Sequence, residues 1–169
     1  MKICQKIHYI TCLSIMLLLM GCYSETNYAV HDVSQQSEEM DYIQGYFKTN
    51  IKTKSTADKL FFLVELQNIS GKDLEILHYS KMFKIIVTND KGEVVFDSTV
   101  NKAFTLALER TILQKDEILA LSDYWNLKTI DGNEVPNGKY KVTVTFEISL
   151  TDNKAIHPDE LIATSELVL

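Results

Sequence analysis

The residues able to do covalent chemistry are few, and one of them stands apart by its setting. The chain has three cysteines, Cys4, Cys12 and Cys22. The last ends the stretch Leu19-Met20-Gly21-Cys22, which closes an apolar run near the N-terminus. Beyond Cys22 there is no further thiol, so residues 23–169 hold no disulfide, no thiolate metal site and no cysteine nucleophile. His31, His78 and His157 are widely spaced, with no His-x-His or His-Glu-x-x-His pattern to hold a metal. His78-Tyr79-Ser80 and His157-Pro158-Asp159 are neighbours in sequence only, and a triad would need the fold to unite them. No Gly-x-Ser-x-Gly elbow, Walker loop or dinucleotide-binding glycine motif occurs. The residues therefore point to no enzyme, and to neither a cofactor nor a metal.

What precedes Cys22 explains why that thiol is different. Lys2 and Lys6 form a short basic region without an acidic residue, and an apolar stretch runs from about Ile10 to Met20. A helix of that length falls well short of the about 30 Å core of a bilayer, and no stop-transfer pattern follows. Leu19 at −3, the small Gly21 at −1 and Cys22 at +1 resemble the lipobox of bacterial lipoproteins. The resemblance implies a thioether-linked diacylglycerol on Cys22, with Leu19 and Gly21 read by the signal peptidase that cuts before it. An ordinary signal peptide with an incidental cysteine, or a short membrane anchor, is the competing reading. Two or three acyl chains at about 0.8 kcal/mol per buried CH₂ would anchor the protein stably. Residues 1–21 are thus expected to be a signal, and the location the extracytoplasmic side of a bacterial cell envelope.

Charge narrows the partners. The whole chain carries −6; without Lys2 and Lys6 the 17 basic residues become 15 against 23 acidic ones, or −8. Such a domain has no long-range attraction for phosphate, which argues against nucleic acid, and it stands off an anionic lipid surface. Its apolar content of 46% and charged content of 24% are ordinary for a globular domain.

Residues 22–41 are dominated by Ser, Glu, Gln, Asn and Asp, with apolar residues that do not alternate. Too little apolar surface is present to offset the entropy of ordering, so a flexible tether is expected. From Tyr42 to Leu169 the pattern changes to period two, which predicts strands. Strands are expected at Tyr46–Ile51, at Leu60–Leu66, at a short Leu74-to-Ile76 segment, and around Phe83, Ile85 and Val87. Asn89-Asp90-Lys91-Gly92 reads as a hairpin turn into Val94-Val95-Phe96, with Gly92 at a positive-φ position. Phe104, Leu106 and Leu108 alternate and read as another strand. Strands from Ile118 to Trp125 and from Lys139 to Ile148, with an edge strand over Leu161 to Leu169, complete the set. Asn68-Ile69-Ser70-Gly71-Lys72-Asp73 is a turn by composition, and Pro136 and Pro158 both fall in loops. Eight or nine short strands without a helix make the fold class all-β, an immunoglobulin-like antiparallel β-sandwich over residues 42–169.

From about Leu60 to Ile148 the order of features resembles the intracellular proteinase inhibitor, or BsuPI-type, family. The matching stretches are Leu63–Ser70, Tyr79–Val87, the Asn89–Val95 hairpin, Ala103-Phe104-Thr105, Trp125 and Val135–Val142. The chain departs from the family in having Gln114-Lys115-Asp116-Glu117 at a usual Pro-Gly turn and Phe96 at a position often held by Trp. The resemblance implies a sandwich fold and a protease as partner, and it carries no inhibitory residue across. Most matching residues have structural work to do. Trp125 is expected to fill the core with its N–H satisfied at the rim, and Gly138 with Tyr140 to form a tyrosine corner.

Two functions follow as expectations: a membrane-anchored, non-catalytic protein-binding module that inhibits a proteinase, or an envelope or cell-wall interaction module without inhibitory activity. In the first, the connection from Asn126 to Asn137 is the candidate interaction loop, with Lys128, Asp131 and Asn133 as its candidate contact residues. A plain sheet-to-sheet crossover is the alternative reading of that loop.

Overall fold

Period-two burial is what the alternation demanded, and the computed structural model, which describes residues 41–169, shows it throughout the central strands. The proposed signal of residues 1–21, its Leu19, Gly21 and Cys22, and all but the last residue of the proposed tether lie outside the described residues. Among the described residues there are ten strands. They are β1 (Tyr42–Ile43), β2 (Phe47–Ser55), β3 (Leu60–Asn68), β4 (Leu74–Asn89), β5 (Val94–Asp97), β6 (Glu109–Leu113), β7 (Ile118–Trp125), β8 (Lys139–Leu150), β9 (Ala155–Ile156) and β10 (Ile162–Val168). One 3₁₀ turn, Pro158–Glu160, precedes β10.

Two antiparallel sheets form the sandwich. One has the order β2-β3-β7, the other β10-β8-β4-β5, with β6 also paired to β4. Strands β2, β3 and β7 thus stand where A, B and E stand in an immunoglobulin-like domain, and β10, β8, β4 and β5 where G, F, C and C′ stand. Phe62, Val64 and Leu66 from β3 and Val142, Val144 and Phe146 from β8 are buried on the inner faces. An aromatic stack bridges the sheets. Phe62 and Trp125 come from one, Phe96 and Tyr140 from the other, with successive ring centroids 6.1, 5.5 and 6.2 Å apart.

The expected turns hold. Gly92 has φ +81° and its N–H donates to the Asn89 carbonyl, closing the hairpin. The Tyr140 hydroxyl donates to the Pro136 carbonyl at 2.5 Å, the tyrosine corner at the start of the F-like strand.

Two expected elements are corrected. The short Leu74-to-Ile76 strand and the strand around Phe83–Val87 are one, β4, whose register against β8 shifts between His78 and Phe83. The polar stretch His78–Lys81 is a bulge within a continuous strand rather than a turn between two. The segment carrying Phe104, Leu106 and Leu108 is not a strand; only from Glu109 does a ladder with β4 begin. The free edge of β4 is occupied by β5 at Ile86–Thr88 and by β6 at Leu74–His78. Over the bulge between them the edge has no ladder for residues 102–108 to join.

The entry to the domain is clamped. The Tyr46 and Phe47 N–H groups donate to one oxygen of the Glu160 carboxylate at 2.9 and 2.8 Å, and the Gly45 N–H donates to the other oxygen. Gly45 has φ +78°, a conformation that turns these successive amides toward one acceptor. Beside it β1 pairs in parallel with β9, a two-residue ladder that period-two reading did not anticipate.

Candidate functional site

The Asn126–Gly138 connection leaves β7 from the most buried aromatic among the described residues. Trp125 is 0% exposed, and its indole N–H donates to the Lys128 carbonyl at 2.6 Å. The following residues fold into a small ribbon. Val135 N–H donates to Leu127 O, Thr129 N–H to Asn133 O, and Gly132 N–H to Thr129 O. Lys128 and Glu134 face each other across this ribbon, with Nζ 3.8 Å from the carboxylate. Asp131 and Asn133 lie exposed at its tip beside Ile130 and Gly132, whose φ is +84°. The structure therefore brings Lys128, Asp131 and Asn133 together on one exposed loop. Its backbone is already bonded to itself, and the Lys128 carbonyl is spent on Trp125.

A second exposed segment escaped the sequence reading because its alternation imitated a strand. Asp97 launches it. Its carboxylate accepts from the Thr99 N–H and hydroxyl at 2.8 and 2.6 Å and pairs with Lys84 at 3.0 Å. Ser98 is buried beneath, its Oγ accepting from the Ile85 N–H and from Lys81 Nζ. From Val100 to Arg110 every residue is exposed, and Leu106 reaches 87%. Lys102 pairs with Asp123 at 3.3 Å, Lys81 Nζ lies 5.1 Å from the centre of the Phe104 ring, and the Thr105 N–H donates to the Ser80 hydroxyl at 3.1 Å.

Electrostatics here is structural. Burial pushes the Lys81 ammonium below its usual value and the Lys102 charge adds to this, while Asp123, Asp97 and Glu147 act the other way. Burial raises the Asp97 carboxyl, but the Thr99 hydrogen bonds and the Lys84 ammonium outweigh it and hold the group below the ordinary carboxylate range. A carboxyl so depressed contributes stability above the unfolded Asp value of about 3.9, and that contribution is lost as pH falls through the folded value. Asp97→Asn should therefore lower the urea midpoint at pH 7, with the difference from wild type shrinking toward zero near pH 2. A difference that stays constant with pH would mean that the side chain acts through shape alone.

The two histidine neighbourhoods are not united. His78 Nδ1 lies 2.7 Å from Tyr79 O and its Nε2 2.9 Å from the Thr111 hydroxyl. His157 meets the ring of Tyr42 and the exposed Asp159. Ser80 Oγ bonds the Thr105 backbone instead. Among the described residues there is no group of three or more His, Cys, Asp or Glu placed to hold a metal, and no helix long and apolar enough to cross a membrane.

Asn68, the last residue of β3, does more than open a turn. It is 0% exposed, and its amide nitrogen reaches the carbonyls of Lys72, Leu113 and Gln114 at 2.7, 3.0 and 2.9 Å. Its side-chain oxygen accepts from the Ser70 N–H and hydroxyl at 3.0 and 2.7 Å. With Ser70 it locks the corner between β3 and the β6–β7 connection.

No curated protein matches the chain by sequence. Among solved structures, it is similar to a penta-heme cytochrome c552 from Thermochromatium tepidum at 15% identity and TM-score 0.42, over 73% of this chain and 40% of that one. It is similar to the putative ApaA protein from Bordetella pertussis at 8% identity and TM-score 0.40, over 77% of this chain and 91% of that one. A β-glucosidase 3B from Thermotoga neapolitana shares 18% identity at TM-score 0.38, over 76% of this chain and 18% of that one. The chain thus spans less than half the length of the cytochrome and less than a fifth of the glucosidase, and none of these likenesses bears on what it binds. The sequence match is of another kind. Residues 47–150, from the start of β2 to the end of β8, match the intracellular proteinase inhibitor family, BsuPI. The match covers more than half the chain and all the strands from β2 to β8, and on it the chain belongs to the BsuPI intracellular proteinase inhibitor family.

Proposed function

We propose that this protein is a lipid-anchored member of the bacterial cell envelope whose sandwich binds another protein without catalysing a reaction, as a proteinase inhibitor. The family match over residues 47–150 carries the inhibitory half of the reading. The other half rests on Leu19-Met20-Gly21-Cys22, whose resemblance to a lipobox makes Cys22 the lipid attachment point and puts the domain on the extracytoplasmic side. The −8 charge of residues 22–169 keeps nucleic acid out of the partner list and suits a domain held off an anionic surface.

Each half has its own test. Cells fed labelled palmitate should yield labelled wild-type protein in the membrane fraction, whereas Cys22→Ser should lose the label and leave the membrane. Retention of label by the Cys22→Ser protein would remove the anchor from this reading. The detergent-purified protein, titrated against trypsin, chymotrypsin, elastase and subtilisin, should inhibit at least one at near-stoichiometric concentration. Inhibition of none would sink the inhibitor reading.

One observation favours a second reading, an envelope-interaction module without inhibitory activity. The outer face of β2-β3-β7 exposes Phe61, Leu63 and Tyr124, with the Phe61 and Tyr124 rings 6.3 Å apart and Lys59 4.8 Å from the Tyr124 ring. Crosslinking in intact cells would then recover an envelope partner above the level of a protein sharing only the anchor, and charge substitutions at Phe61 and Tyr124 would abolish the recovery.

A further inference from the structure

We infer that residues 103–108 are the segment that enters the cleft of the target protease, with Leu106 filling an apolar specificity pocket; the inference rests on the inhibitor reading above. A protease cleft binds an extended peptide by pairing with its main chain and by taking alternate side chains into pockets. The ligand must therefore offer unspent backbone groups, protruding side chains and little freedom to lose on docking.

The 103–108 segment meets all three demands. Among the described residues its only hydrogen bonds are those between the Thr105 backbone and the Ser80 hydroxyl, so the N–H and C=O groups of Phe104, Leu106, Ala107 and Leu108 are unspent. In the Asn126–Gly138 ribbon, by contrast, three backbone bonds, Val135 N–H to Leu127 O, Thr129 N–H to Asn133 O and Gly132 N–H to Thr129 O, already close the loop on itself. The segment also bows outward. Continuing the β4–β6 register from His78↔Glu109 would set Ala107 opposite Ser80, yet Thr105 meets Ser80. Two residues more than the register needs fall between, and Leu106, 87% exposed, lies in the excess. Large Phe104, Leu106 and Leu108 alternate with small Ala103, Thr105 and Ala107, the pattern for pockets on one side and clearance on the other.

Both ends are held. Before the bow stand the Lys102–Asp123 pair, the Phe104 contact with Lys81, and the Asp97-braced turn. After it comes the β6 ladder with β4. An exposed apolar residue on a convex segment fastened at both sides reaches a cleft at small entropic cost. The partner this chemistry fits is a serine protease of subtilisin or chymotrypsin type, whose primary pocket takes an apolar side chain, rather than one selecting a cation.

The test titrates the full chain in detergent against subtilisin, chymotrypsin and trypsin, using wild type, Leu106→Asp, Leu106→Arg and Lys128→Ala. Wild type should inhibit subtilisin or chymotrypsin, and Leu106→Asp should weaken inhibition at least 100-fold with an unchanged melting temperature, since Leu106 supports no core. Leu106→Arg should shift the preference toward trypsin. Hydrogen exchange of the wild-type complex should show protection over 103–108. If wild type inhibits and Leu106→Asp inhibits equally, or if only Lys128→Ala loses inhibition, the site lies elsewhere and this assignment falls while the inhibitor reading stands. If wild type inhibits none of the three and the wider panel also fails, both fall together.

Discussion

Asn68→Ala should be among the most destabilising single substitutions in the domain, although the residue lies at the mouth of a turn. Removing the amide takes its donor from the buried Leu113 carbonyl and its acceptor from the Ser70 N–H, at a corner where β3, the 70–72 turn and the β6–β7 connection converge, and leaves the Gln114 carbonyl with the Glu117 N–H alone. A buried polar group left unpaired costs about 1–3 kcal/mol, so a combined loss of about 3–5 kcal/mol is expected. For a domain of this size the melting temperature should fall by roughly 10 °C or more. Asn68→Asp separates hydrogen bonding from shape. At neutral pH it sets a carboxylate against three carbonyl oxygens, and a protonated carboxyl could donate to one of them. The folded pKa of that introduced group is raised, so its favourable contribution is present at acid pH and lost as pH rises through the folded value. The melting temperature of Asn68→Asp relative to wild type should therefore improve from pH 7 to pH 4. A neutral Asn68→Ala, or an Asn68→Asp deficit that does not change with pH, would refute the corner-lock account.

Trp125→Ala is the second. It would empty the largest fully buried side-chain site, break the stack with Phe96 and Tyr140, and free the Lys128 carbonyl. Truncation of a large buried aromatic costs about 3–5 kcal/mol. Trp125→Phe keeps most of the packing and deletes only the N–H, a loss of about 1 kcal/mol by itself plus some underpacking. The two variants should part on local behaviour. In both, the 126–138 ribbon loses its anchor and should be cut faster in limited proteolysis, but only Trp125→Ala should lower the urea midpoint steeply. Equal midpoints for the two would mean that the indole contributes through its hydrogen bond rather than its volume.

These residues also show where sequence reading works. The structural roles of Gly92, Trp125 and Tyr140 are legible because each signal is local: a turn needing positive φ, a large ring closing a strand, and a Tyr next to a Pro-Asn-Gly corner. The sandwich itself followed from alternation in β3 and β8, where one face of each strand is consistently buried. In sequence Asn68 looks like part of a turn, because two of the three carbonyls it satisfies come from residues 45 and 46 positions away. Phe104, Leu106 and Leu108 mislead for a related reason. Alternation says that a segment could lie on a sheet, not that an edge is free to receive it. Here β5 and β6 hold the edge on either side of the β4 bulge. The same bulge hid the unity of β4, since four polar or amphipathic residues look alike whether they end a strand or kink it. The ribbon bearing Lys128, Asp131 and Asn133 was legible as a loop, but its internal bonding was not, because the pairing of Lys128 with Glu134 depends on how Trp125 seats the chain.

The clamp at Glu160 has a mechanical meaning. A pull applied to the chain just before Asp41 would meet the two-residue β1–β9 ladder and the three amides gathered on Glu160 before it reached β2. Those contacts involve few bonds and none of the buried aromatic stack, so they would yield first and absorb load reversibly. In the lipid-anchored protein proposed above, with load entering at the N-terminal side, this arrangement would act as a fuse. Shear on the leash would be spent on a latch that can close again, while the two sheets and the bowed segment between β5 and β6 keep their shape.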